Sequence, residues 1–216
     1  MKRREALAII AAGASTVISR ALAKGDVPPG VNQVDGSVQV NGAPARVGTP
    51  VRPGDRVTTG KASSAVIVVG KDAFLLRSQT TIELGKGPDG LVDQLLVATG
   101  GVLSVFSRKP MTIKAATASI GIRGTGAYLE MDPEGVYFCL CYGDAVIDGP
   151  GMAASREVHT KHHESPLLLH DDGSSMRIEP GPFRNHSDAE LIMLEALVGR
   201  EPPFMKDGAA YPAGKY

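Results

Sequence analysis

Ala65-Val66-Ile67-Val68-Val69, closed by Gly70-Lys71-Asp72, decides the fold class. The run is β-branched and apolar, with no polar face, as expected of a strand buried on both sides at the centre of a core. Upstream, Val34, Gly36, Val38 and Val40 keep a period of two. They lead into Asn41-Gly42, a dipeptide favoured in tight hairpins because both residues tolerate positive φ. Arg52-Pro53-Gly54-Asp55 marks a further turn. Downstream, short apolar or alternating runs follow at Ala73–Arg77, Thr80–Leu84, Leu95–Ala98, Gly101–Phe106, Met111–Lys114, Ala127–Met131, Val136–Tyr142 and Ala145–Ile147. Gly85–Gly90 and Ser107–Pro110 read as connecting loops. Many short strands at close spacing predict an all-β sandwich, roll or barrel.

Composition agrees with that class. Aromatic residues make up 5% of the 216, Trp is absent, and Gly (26) and Pro (15) are plentiful, which suits a turn-rich β fold. The 23 basic residues are balanced by 23 acidic ones, so no net field draws the chain to nucleic acid. Residues 1–23 read as an export signal: Lys2-Arg3-Arg4 is a basic start, Ala6 to Ile18 an apolar run, and Ala21-Leu22-Ala23 a small-x-small cleavage site. The apolar run, about 13 residues, falls short of the roughly 20 that span a bilayer, so no transmembrane anchor is expected after processing. Arg3-Arg4 with Leu7 resembles a twin-arginine signal, although basic pairs also open ordinary secretory signals. The expected location is therefore periplasmic or secreted.

Beyond Asp148-Gly149-Pro150-Gly151 the chain becomes polar and His-bearing, with Glu157–Lys161 and Pro166–His170 as further strands. His170-Asp171-Asp172-Gly173 reads as a hairpin turn. Ser187-Asp188-Ala189-Glu190 has the spacing of a capping box, Leu191, Leu194 and Val198 form an apolar stripe, and Gly199 can end the helix in the left-handed conformation. Such a helix needs an open face of the β domain to lie on. Glu201–Tyr216 carries three Pro, two Gly and no periodicity, and reads as a flexible tail.

Three stretches resemble the FecR domain family. They are Gly36–Gly42, Val51–Ala65 with its Pro53-Gly54-Asp55 turn, and Ile120-Gly121-Ile122-Arg123-Gly124-Thr125-Gly126-Ala127-Tyr128-Leu129, which is similar to the family's arginine-glycine-threonine turn. The resemblance covers residues 31–147 and implies a β-sandwich or β-roll in the periplasm, used in envelope signalling or as a binding scaffold. Independently of it, Gly54 and Asp55 shape a turn, and Gly121, Gly124 and Gly126 permit sharp bends. Arg123, beside Thr125, is expected to hold such a bend by donating hydrogen bonds. A nucleotide loop is the rival reading, but phosphate loops lead from a strand into a helix, and Tyr128–Met131 reads as a strand.

The unusual chemistry lies at Cys139 and Cys141, two apart on one predicted strand and so on one face. His162-His163 follows about twenty residues later, flanked by His159 and His170. Thiolates and imidazoles are the donors that zinc, or a similar transition metal, prefers in a tetrahedral site, which makes Cys139, Cys141, His162 and His163 the candidate ligands. Two other readings stay open: inert buried thiols, and disulfides, of which a local Cys-x-Cys bond would be strained. A Cys–His nucleophile pair lacks an orienting third residue. No phosphate loop, serine-hydrolase elbow or zinc-protease helix is present, so a binding protein is expected rather than an enzyme. The organisation expected is an export signal at 1–23, a FecR-like β domain at 31–147, a His-bearing β/loop extension at 148–184, a C-terminal helix at 185–200 and a tail at 201–216. Its expected partner is another envelope protein or a glycan. The alternative is a metal-binding or redox-sensing protein on the same scaffold.

Overall fold

The structure is a computed structural model that describes residues 28–133, 135–172 and 174–205. The expected export signal at 1–23, Gly173 of the predicted hairpin turn and the expected tail from residue 206 on lie outside these. Fifteen strands of the described residues form one sheet. In chain order they are β1 (Gly30–Asp35), β2 (Val38–Val40), β3 (Ala43–Pro44), β4 (Arg56–Thr59), β5 (Ser64–Val69), β6 (Asp72–Leu76), β7 (Thr81–Lys86), β8 (Val92–Thr99), β9 (Gly101–Val105), β10 (Pro110–Ala115), β11 (Ala118–Asp132), β12 (Gly135–Asp148), β13 (Arg156–Thr160), β14 (Leu167–Asp171) and β15 (Met176–Pro180). Among the described residues, one helix, α1 (Asp188–Leu197), and a 3-10 turn at Pro203–Met205 complete it. The all-β class with one C-terminal helix is as expected. Among the described residues no helix is long and apolar enough to cross a membrane.

The long hairpin β11–β12 explains how one sheet becomes a roll. The first part of β11 pairs with β10 and its second part with β9, while β12 takes β14 at one end and β13 at the other. The register slips between Arg123 and Ala127, where Gly124 has φ of 64°. A bulge of this kind bends the strand and increases its twist, so each strand serves two stretches of sheet that face each other. Here the expected run of bends at Gly121–Gly126 is corrected. Gly121 and Ile122 lie within a regular ladder, and the sharp change falls between Arg123 and Ala127, at Gly124-Thr125-Gly126. Arg123 is exposed rather than tucked into the bend; the local partner is a backbone bond, Phe106 N–H donating to the Thr125 carbonyl at 2.9 Å.

At the other side Gly36, with φ of 73°, breaks the predicted run from Val34 to Val40 into β1 and β2. A side chain there would collide with Ser63, and its φ suits glycine, so the chain can turn from one stretch of sheet to the other. Asn41-Gly42 makes the predicted hairpin, pairing Val40 with Ala43. β13, β14 and β15 add directly to β12, so the His-bearing segment continues the same sheet; β15 carried no clear strand signal.

The sheet is apolar on both faces over part of its area. The inner face encloses the main core: Ala65, Ile67 and Val69 of β5 pack there with Phe74, Leu95, Ile120, Phe138 and their neighbours. Val66 and Val68 point the other way, into a second core with Leu75, Leu103 and Val105. The two-faced burial read from Ala65–Val69 is thus accounted for, and the cover on the outer face is α1.

Candidate metal centre

β12 sets the geometry of the candidate site. Phe138 and Leu140 enter the inner core, whereas Cys139 and Cys141 alternate onto the outer face, both fully buried and neither in a disulfide. After β13 the chain turns back over them. Thr160 Oγ1 donates to the Leu140 carbonyl at 2.8 Å and His163 N–H to the Cys141 carbonyl at 3.0 Å. His163 takes φ of 50°, a left-handed conformation that histidine adopts more readily than most residues. The turn therefore drops His163 onto the two sulfurs, with Nδ1 3.5 Å from Cys139 Sγ.

A fourth donor arrives from the far end of the chain. Asn185, also left-handed at φ of 60°, is tied to the Glu130 carboxylate, and it delivers His186 between the Tyr128 and Phe183 rings. His186 Nε2 lies 3.1 Å from His163 Nδ1. One donor atom from each of Cys139, Cys141, His163 and His186 falls within 4.8 Å of every other. His163 and His186 are 7% and 6% exposed.

Three of the four expected ligands are thus brought together, and His162 is set apart from them. Its Nε2 donates to Asp188 Oδ1 at 2.8 Å, and its ring packs on Phe204. Both rings turn Nε2 to Asp188 Oδ1, but only His163 also turns Nδ1 toward the Cys139 sulfur. His159 and His170 are separate, beside Asp144 and Glu179. His186 was missed because it stands alone, remote from the Cys and His pairs. The available signal was its place just before the predicted helix cap, in a segment that had to lie on the sheet.

The outer partners fix the ring tautomers. A carbonyl and an ionised carboxylate can only accept, so His186 Nδ1 donates its proton to the Arg184 carbonyl at 2.7 Å, and His163 Nε2 donates to Asp188 Oδ1 at 3.1 Å. In neutral rings this leaves two unprotonated nitrogens, His163 Nδ1 and His186 Nε2, pointing at each other. A metal cation between them would be bound by both lone pairs. Carboxylate–histidine pairs of this sort are the usual outer partners of metal ligands.

The thiols are electrostatically unlike. Hydrogen bonding from Cys141, then from His163 and His186, draws Cys139 down to about 4, against the opposing effect of burial. Burial, and then the Cys139 sulfur beside it, pushes Cys141 well above the ordinary thiol range. A coordinated ion would hold both as thiolates. Two edges fit: bonds of about 2.3 Å to sulfur and 2.0–2.1 Å to nitrogen give a tetrahedron with S···N edges of about 3.5 Å and N···N edges of about 3.3 Å, against 3.5 Å for Cys139–His163 and 3.1 Å for His163–His186.

α1 roofs the cluster. Ser187 caps it in a full capping box with Glu190, as its sequence predicts, and Gly199 follows in the left-handed conformation. Leu191, Leu194 and Leu197 are buried on the outer face, and the expected Val198 packs against the same core, partly buried. Arg77 holds Glu190 through two bonds of 2.8 and 2.9 Å. The tail reading is corrected at its start, because Phe204 is buried against Tyr142 and His162. A cavity of about 220 Å³ lies elsewhere, lined by residues such as Ala118, Met131, Leu169 and Met176.

No protein-family model matches the chain, and no curated protein matches it. Among solved structures, the chain is similar to two crystal structures, at 1.65 and 2.50 Å, described as of a putative anti-sigma factor from Parabacteroides distasonis. Each match has 11% identity and a TM-score of 0.47, and covers 58% of this chain and 59% of that one. A likeness this distant carries no argument about what the present chain does.

Proposed function

We propose that this is a non-enzymatic, extracytoplasmic binding module of FecR-like build that holds one transition-metal ion, zinc by its donor set, between Cys139, Cys141, His163 and His186. The observation that carries the reading is the meeting of two imidazole nitrogens whose protons are committed elsewhere, beside two buried sulfurs. Two thiolates and two neutral imidazoles form a closed tetrahedral set, and closed sets serve structure, whereas catalytic zinc keeps a position for water. With every donor buried, the centre suits neither a nucleophilic cysteine, which must meet its substrate, nor an exposed redox thiol. The export signal and the FecR-like stretches at 36–42, 51–65 and 120–129 support placement in the periplasm. The balanced charge and closed centre support a protein or glycan partner on the remaining surface.

Elemental analysis of the untagged protein purified after export tests the metal. About one zinc per chain is expected in the wild type, none in Cys139→Ser/Cys141→Ser, a large loss in His186→Ala, and retention in His162→Ala. Absence of metal from the wild type would overturn the proposal. Loss in His162→Ala with retention in His186→Ala would move the site.

A further inference from the structure

The two cores of the sheet depend on different parts of the chain. Among the described residues, the inner core contains no buried residue beyond Leu169, with Met176 and Ile178 at its margin. The outer core, in contrast, is closed by a strap, residues 181–205, which contributes Leu191, Leu194, Leu197 and Phe204. Of the four donors, Cys139, Cys141 and His163 belong to β12 and the turn after β13. His186 alone belongs to the strap.

Resting on the metal reading above, we infer that the ion is a clasp: its binding and the docking of residues 181–205 are one linked equilibrium. Its removal frees the strap and bares an apolar face of the sheet while the roll stays folded. An ion held by three donors of the roll and one of the strap is a cross-link between them, and it sits at the helix start. His186 is the residue before the Ser187 cap, and Asp188, the first helical residue, takes hydrogen bonds from both His162 and His163.

Without the ion the docked state is penalised locally. His163 Nδ1 and His186 Nε2 remain face to face at buried positions, two acceptors without a cation between them, and that cost is relieved when the strap leaves and both rings are hydrated. The other ties are the buried leucines with Phe204, Arg184 on Asp132 at 2.7 Å, Asn185 on the Glu130 carboxylate, and three further polar pairs. Arg77–Glu190 is a partly exposed ion pair, the Tyr142 hydroxyl donates to Glu195, and Arg200 pairs with Glu195 at 2.5 Å. A ten-residue helix does not persist alone in water, so a released strap unwinds. Nothing in the inner core is lost with it. The face uncovered is Val66, Val68, Leu75, Leu103 and Val105.

Hydrogen exchange of the full mature protein, zinc-loaded and then stripped by a chelator under reducing conditions, tests this with elemental analysis run in parallel. Amides of residues 187–200 are expected to exchange at least about tenfold faster after stripping and to recover on adding zinc. β5, β9 and the inner strands stay protected, and an apolar dye binds only the stripped form. His186→Ala should show the fast strap with or without zinc over a protected roll. Unchanged strap protection with zinc shown to be lost overturns the clasp and leaves the metal site standing. Loss of protection across the roll also overturns it. A wild-type protein with no metal overturns both readings.

Discussion

The inner and outer faces of this sheet are made from the same strands, often from neighbouring residues, yet they are closed in different ways. Inside the roll, Ile67, Phe74, Leu95, Ile120 and Phe138 meet side chains that alternate off other strands of the sheet. Outside it, Val66, Leu75 and Leu103 are covered by a helix more than eighty residues further along the chain, beside a cluster of buried thiols and imidazoles. Burial by the sheet's own curl needs only hydrophobic packing. Burial by a distant strap must also order that strap, and ordering a segment costs conformational entropy that a few leucines offset only in part. The difference suggests why a metal cross-link would be placed on the outer face and not within the roll.

The largest effect that sharpens this contrast is expected from paired truncations. Ile67→Ala, in the inner core at 0% exposure, should lower global stability by about 2–5 kcal/mol in urea unfolding followed by circular dichroism. Leu194→Ala removes a side chain as completely buried, but it should act mainly by loosening the strap, seen as faster proteolysis within residues 181–205 and a smaller shift in global unfolding. Equal global losses from the two would break the distinction between the cores.

A smaller effect is expected at Asp188, which orients His163 from outside the donor set. Asp188→Ala should weaken zinc binding by about 10–100-fold in competition with a chromophoric chelator. An unchanged affinity would mean that Asp188 serves only the helix start and His162.

The same contrast governs what could be read in advance. β5 was legible because a run with no polar face has one explanation, burial on both sides. The Asn41-Gly42 hairpin and the Ser187 cap were legible because turn and cap chemistry is local. The pairing of β11 with three partners was not, since a bulge at Gly124 looks in sequence like a series of bends. Cys139, Cys141 and His163 followed from the period of a strand and a nearby histidine pair. His186 did not, because its approach depends on the fold of the strap, and sequence spacing holds no record of that. The choice of His163 over His162 likewise turns on the left-handed backbone at His163, which two adjacent identical residues do not announce.

Zinc-edge X-ray absorption on the untagged protein, purified after export, tests the central claim most directly. Two sulfur scatterers at about 2.3 Å and two nitrogen scatterers at about 2.0–2.1 Å, with the outer-shell pattern of two imidazoles, are predicted. An edge with no sulfur, a shell of five or six oxygen and nitrogen atoms, or no bound zinc would contradict a centre built from Cys139, Cys141, His163 and His186.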